Sequence, residues 1–217
     1  MQEPLQRQSP LDRIISVIDH GLRASSSRPA ASGRPTPLPN PGDPPPLSEA
    51  DRRHAAGLMR VNHAGEVAAQ ALYHGQALVA QDPAVRAFLL SSAREEGDHL
   101  SWCHDRLQQL GSKPSLLGPF WYAGSVAIGA FAGLAGDATS LGFIAETERQ
   151  VEGHIDNHLE RLPTDDSASR AILVQMKTDE AAHREHALER GGRSLPGVAR
   201  TMMRAISKVM TTSAYWF

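Results

Sequence analysis

The sequence predicts an all-α protein organised as a four-helix bundle. Apolar residues recur at helical spacing through nearly all of the chain after Ser48. No run of useful length alternates apolar and polar residues as a half-buried strand does. Helix-starting and helix-stopping residues divide the chain into four long segments with short breaks, the pattern of neighbouring helices in a bundle.

Residues 11–22 come first. Leu11, Ile14, Ile15, Ile18 and Leu22 fall at helical spacing, so this segment reads as an amphipathic helix. Residues 23–47 hold eight of the fifteen prolines, with Ser, Ala and Gly between them. Such a stretch cannot build a packed core and reads as a flexible, extended linker. The domain that carries the chemistry is therefore 48–217, and removing 1–47 should leave catalysis largely intact. Ser48 and Asp51 form a capping arrangement for a helix running to about Ala80. Asp82-Pro83 starts the second long helix, which reaches Leu110 before Gly111 stops it. The third spans about Ala138 to Arg161, ahead of Pro163 and Thr164. The fourth starts at Asp165 or Asp166 and ends at Gly191-Gly192. A last helix, about Pro196 to Thr212, carries Arg200, Arg204 and Lys208, and the chain ends in AYWF.

Between the second and third long helices, Pro114 to Gly136 has no charged residue. Its length suits a membrane span, but Pro119 and several glycines weaken a helix there. It reads better as a membrane-surface helix or a buried crossing. Gly124, Gly129 and Gly133 fall broadly along one side of such a helix. They serve either tight helix packing or a path for a flat ring beside the Glu66 helix.

The 217 residues suffice for one domain with a real core, with or without an appendage. A formal charge of −2 gives no electrostatic case for nucleic acid. The single Cys103 excludes an internal disulfide and fits a reducing compartment. The N-terminus lacks the apolar run of a secretory signal, and Glu3, Asp12 and Asp19 argue against a transit peptide despite frequent Arg and Ser.

The chemistry lies in a repeat. Glu-x-x-His occurs twice, as Glu96/His99 and Glu180/His183, and on a helix each pair points the same way. Two such units alone are a weak surplus. Glu66 precedes Glu96 by 30 residues, and Glu148 precedes Glu180 by 32. At about 1.5 Å per residue, that is a long helix, a turn and a return to the same height on the neighbour. Each half then offers a lone Glu and a Glu-x-x-His unit. Together they place four carboxylates and two imidazoles on one axis, the ligand set of a di-iron or di-manganese carboxylate bundle. Bridging carboxylates hold two hard cations together, and one imidazole per metal leaves positions open for O₂. Without cations, four buried carboxylates would repel and suffer severe desolvation.

Other candidates are weaker. Asp51/His54 lies near a helix start and reads as capping. Glu95 competes with Glu96 for the pairing with His99, and the register favours Glu96. His154 lies roughly 120° off the ligand face, so it either hydrogen-bonds a ligand from outside or is plain polar surface. His63, His74, His104 and His186 have no assignment, and Cys103 reads as a buried inert thiol.

Four stretches carry a resemblance: LMRVNHAGEVAAQALYHGQ (58–76), EEGDHL (95–100), ETERQVEGHIDNHLERLP (146–163) and MKTDEAAH (176–183). They resemble the demethoxyubiquinol hydroxylase family of ubiquinone biosynthesis, with RVNHAGE the most specific part and a coverage of about 48–217. The resemblance implies a ferritin-like bundle with membrane-facing and C-terminal helices, with Glu66, Glu96, His99, Glu148, Glu180 and His183 as ligands to two iron ions. It also implies O₂-dependent hydroxylation of the ring of 2-polyprenyl-3-methyl-6-methoxy-1,4-benzoquinol. The implied location is peripheral, on the cytoplasmic side of a bacterial cell membrane, or on the mitochondrial inner membrane of a eukaryote. Proteins of a ubiquinone-biosynthesis complex are implied partners. His154 falls on a family histidine of the site's hydrogen-bond network, whereas Ile155 stands where relatives often have tyrosine. No Gly-rich dinucleotide fingerprint is present, so electrons come from an unknown outside donor or from the quinol itself.

Two alternatives use the same residues differently. An iron-storage protein on this bundle needs the same six ligands and a soluble cage-forming surface. A membrane-associated helical adaptor needs no metal at all.

Overall fold

The structure is a computed structural model and describes residues 9–24, 31–37 and 46–217. The rest of the expected linker lies outside the described residues. Among those described there are seven helices and no strand: α1 (Pro10–Ala24), α2 (Glu49–Val79), α3 (Pro83–Gln109), α4 (Gly118–Leu134), α5 (Asp137–Arg161), α6 (Ser167–Glu189) and α7 (Gly197–Trp216). The bundle is α2, α3, α5 and α6. Its starts follow the expected chemistry: Ser48 Oγ accepts the Asp51 N–H, Asp82 accepts the Ala84 N–H ahead of Pro83, and Asp166 accepts the Ser169 N–H. Gly111, at φ 68°, takes the left-handed conformation that ends α3 without strain.

Two apolar plugs fill the bundle. One packs Leu58, Met59, Trp102, Leu107, Ile155, Leu173 and Met176. The other packs Tyr73, Val85, Leu89, Leu141, Ile144 and Ala187. In all four helices the expected metal ligands fall between these two groups in sequence. Antiparallel neighbours therefore bring them to one middle layer, sealed at both ends by hydrocarbon.

The long connection from α3 to α5 carries the uncharged segment, which forms α4. No helix among the described residues is long and apolar enough to cross a membrane. Helix α4 crosses α2 at backbone distance. A Cβ on Gly129 would lie 2.3 Å from the Leu72 carbonyl oxygen, and one on Gly75 would lie 2.2 Å from that of Val126. Gly133 meets Val79 and Gln76, whereas Gly124 is exposed with nothing near it. The path considered between α2 and this segment is closed at the crossing, because backbone meets backbone there.

Three helices turn apolar residues outward. On α1 these are Leu11, Ile14, Ile15, Ile18 and Leu22; on α4 they are Phe120, Phe131 and Leu134. On α7 they are Val198, Met202, Ile206, Val209 and Trp216. Helix α1 docks by its opposite side: Val17 packs on the cluster of Val67, Ala71, Leu100 and Tyr122, Tyr122 donates to the Val17 carbonyl at 2.9 Å, and the His20 ring lies 4.3 Å from that of His74. Residues 31–37 have no regular secondary structure, yet they are bound to α3 and α6. A proline-rich stretch cannot build its own core, but its N–H groups and one guanidinium dock on a core already built.

Candidate metal centre

The structure brings Glu66, Glu96, His99, Glu148, Glu180 and His183 together, all buried. They form two overlapping groups. Ligand atoms of Glu66, Glu96, His99 and Glu180 lie within 4.8 Å of one another, and so do those of Glu96, Glu148, Glu180 and His183. Glu96 and Glu180 belong to both groups. One carboxylate and one imidazole are private to each.

The imidazoles share an orientation. His99 Nδ1 lies 3.1 Å from Glu96, 3.1 Å from Glu180 and 3.4 Å from Glu66. His183 Nδ1 lies 3.1 Å from Glu96 and 3.4 Å from Glu180. Each ring thus turns Nδ1 into the carboxylate cage and Nε2 away from it. The outer nitrogens are held across the bundle. Asp179 on α6 accepts from His99 of α3 at 2.9 Å, and Glu95 on α3 accepts from His183 of α6 at 3.0 Å. Such an outer carboxylate fixes a ring's tautomer and raises its basicity as a ligand. Sequence reasoning missed Asp179 and weighed Glu95 only as a rival of Glu96. The signal was present: both units read acid-Glu-x-x-His, and each leading acid serves the other half. Tyr73 donates to Glu148 Oε1 at 2.7 Å.

The charge balance shows what the cluster is suited to hold. Burial, with Glu96 and Glu180 nearby, pushes the Glu66 and Glu148 carboxyls well above the ordinary carboxylate range. Burial pushes His99 down, but hydrogen bonds to Asp179, Glu180, Glu66 and Glu96 hold it well above its usual value. His183 is likewise raised against burial, by Glu180, Glu95 and Glu96. Burial pushes Glu96 up, but His183 and His99 bring it well below the usual range. The cage thus gathers positive charge by every route open to it. Glu148 Oε2 is buried with no hydrogen-bond donor, and Glu66 Oε2 and Glu96 Oε1, equally buried, have only the approaches of His99 Nδ1 at 3.4 Å and His183 Nδ1 at 3.1 Å. Buried carboxylate oxygens are costly unless paired or bound to a cation. Divalent cations fit this donor set, whose two groups have Glu96 and Glu180 in common.

The remaining candidates lie elsewhere. His154 is half-buried, its ring tilted against that of His158 with centroids 4.0 Å apart and its Nε2 unpaired, and His158 in turn meets Asn62. No hydrogen bond among the described residues joins His154 to the cluster. Ile155 is wholly buried in an apolar plug. Asp51 bonds Ser48, while His54 bonds Tyr215 and the Arg161 carbonyl. Burial pushes the Cys103 thiol well up, and it touches Met176, so it is inert.

A family model described as ubiquinone biosynthesis protein COQ7 matches residues 53–214. A 3-demethoxyubiquinol 3-hydroxylase from Bordetella pertussis is 57% identical over 211 residues, covering 97% of this chain and 95% of that protein. One from Ralstonia pickettii is 58% identical over 219 residues, covering 94% and 99%. One from Burkholderia multivorans is 54% identical over 206 residues, covering 95% and 99%. The Bordetella match takes in most of residues 1–47, so the similarity reaches well before Ser48, where the resemblance was expected to begin. On a match spanning residues 53–214, and on relatives more than half identical nearly end to end, this chain belongs to the ubiquinone biosynthesis protein COQ7 family.

Proposed function

We propose that this chain is a 3-demethoxyubiquinol 3-hydroxylase: a di-iron monooxygenase that adds a hydroxyl group to the ring of 2-polyprenyl-3-methyl-6-methoxy-1,4-benzoquinol. The observation that carries the reading is the pair of buried ligand groups sharing Glu96 and Glu180. Glu66 and His99 would complete the site of one iron, and Glu148 and His183 that of the other. The bound irons supply the activation of O₂ that the hydroxylation needs. The chain does the rest. Asp179 and Glu95 hold the two imidazoles with Nδ1 inward. Tyr73 holds one oxygen of Glu148. The two apolar plugs exclude bulk water, which strengthens every charge interaction inside.

The substrate's polyprenyl tail keeps it in lipid. The outward apolar residues of α1, α4 and α7 support a peripheral seat on the membrane surface, with Arg200, Arg204 and Lys208 of α7 available to anionic headgroups. We place the protein on the cytoplasmic side of a bacterial cell membrane, with the quinol or an outside donor as the electron source. The same apolar faces count against an iron-storage cage. The buried, cation-seeking cluster counts against an adaptor without metal.

The test is Glu148→Ala. Purified wild-type protein should carry two irons per chain and convert the demethoxy quinol to its hydroxylated product. The variant should keep its helical circular dichroism, lose iron and lose turnover. A variant with full iron content and normal turnover would remove Glu148 from the site.

A further inference from the structure

Residues 31–37 bridge α3 and α6 beside the metal centre. The latch is Asp98, which is 1% exposed and adjacent to the ligand His99. Its Oδ1 accepts the Gly33 N–H at 2.8 Å and the Arg34 N–H at 3.2 Å, and its Oδ2 accepts the Ser32 hydroxyl. Trp102 Nε1–H donates to the Arg34 carbonyl at 3.2 Å. Gly33 sits at φ +88°, which turns the segment so that both N–H groups reach one oxygen. The Arg34 side chain then crosses 5.0 Å above the Trp102 ring and meets Asp179 Oδ2 at 2.8 Å. That same oxygen accepts His99 Nε2 at 2.9 Å, while Gln175 holds Asp179 Oδ1 at 3.0 Å.

The two halves of the site therefore differ. Asp179, behind His99, is 15% exposed and clamped by Arg34. Glu95, behind His183, is 41% exposed and has His183 as its ion-pair partner. An outer carboxylate with a fixed geometry holds its imidazole, and hence the ligand set, more firmly than a loose one.

We infer that residues 31–37 form a strap that completes the metal centre, and that Arg34 is a positioning residue. By holding Asp179 on His99, it makes the ion at the Glu66–His99 position the more slowly released of the two. This rests on the di-iron reading above.

The experiment uses the full chain loaded with two equivalents of Fe(II) without oxygen, then mixed with excess ferrozine. Wild type should release iron in two phases. Partners directly behind a ligand are worth about 10–100-fold in metal affinity, and Arg34 acts one bond further out at 34% exposure. Arg34→Ala should therefore speed the slow phase by about 3–10-fold and change the fast phase far less, because Arg34 bonds Asp179 directly and acts on Glu95 only through space. Arg34→Lys should fall between, because an ammonium keeps the charge but lacks the planar fork. Gly33→Val has open space around it, but its φ is strained for valine, so it should free the strap with Arg34 intact and copy Arg34→Ala. The double variant should be no worse than either single one. Mössbauer spectra should show one iron environment altered by Arg34→Ala and the other kept.

Release of both irons in one phase by wild type would overturn the inference. So would an unchanged slow phase in Arg34→Ala, or equal acceleration of both phases with a lower Tm, since the strap would then serve stability alone. Wild type that binds no iron would overturn the di-iron reading and this inference together. Two irons in wild type with no effect of either variant would overturn this one alone.

Discussion

Alanine at Gly129 and alanine at Gly124 should move the stability of this protein in opposite directions. Both glycines lie on α4, so the gain in helix propensity is the same, about 1 kcal/mol. Their surroundings differ. At Gly129 the new Cβ would lie 2.3 Å from the Leu72 carbonyl oxygen and 3.0 Å from its Cα, and real Cβ atoms stay beyond 3.0 Å. Helix α4 must therefore back away from α2 by about 0.7 Å or more, and the obstacle is backbone, which cannot rotate aside. Overpacking of that kind costs about 1–3 kcal/mol, and here it sits at the upper end because the reciprocal contact at Gly75 opens too. The net effect of Gly129→Ala is a loss of about 2 kcal/mol, or about 4–8 °C in Tm for a chain of this size. Gly124→Ala meets nothing within 4 Å and should raise Tm by about 2–4 °C. Thermal unfolding followed by circular dichroism reads both. The same crossing decides how turnover responds. If α4 serves α2 by close packing, Gly129→Leu should slow long-tailed and short-tailed quinols alike. A Tm for Gly129→Ala at or above wild type, or loss of turnover confined to the long-tailed substrate, would refute the close-packing argument.

Removing residues 1–47, expected from composition alone to spare catalysis, should instead leave the helical signal of the bundle intact but lower iron retention and turnover, because Asp98 and Asp179 lose their partners from the strap. Iron content per chain and quinol conversion check this, and full activity of the truncated protein would contradict it. A second prediction concerns acid. Burial pushes His63, His74 and His158 down to about 3, with His104, His20 and His154 respectively adding to the shift. A folded pKa below the unfolded 6.5 means that the stability is complete above pH 6.5 and is lost as pH falls toward 3. Each histidine should contribute a slope of up to about 1.4 kcal/mol per pH unit in that window. Urea unfolding at about pH 7 and about pH 5.5 should show His63→Gln losing less stability than wild type across the interval, and equal losses would remove His63 from the account.

What was legible in the sequence follows the range of the interactions. The bundle helices and the six clustered residues came from local period, caps and a constant register of 30 and 32 residues, all of which one helical hairpin can encode. The crossing of Asp179 to His99 and Glu95 to His183 needs to know that α3 faces α6, which no local pattern states. The packing at Gly129 stayed undecided because glycine spacing alone does not say whether backbone or ligand approaches. The strap was the least legible part. Arg34 lies 64 residues from Asp98 and 145 from Asp179, and three of the strap's five hydrogen bonds use main-chain N–H or C=O groups that leave no mark in composition. Proline-rich composition says only that a segment cannot make a core of its own. The structure buries Asp98, one position before a ligand histidine, so its carboxylate needs donors. Helix N–H groups at mid-helix are already committed to the chain's own carbonyls. The donors had to come from a side chain or from backbone outside the helices, and the stretch that composition marks as spacer is 23–47. A buried acid beside a metal ligand thus predicts a visiting segment, even where the segment itself looks like spacer.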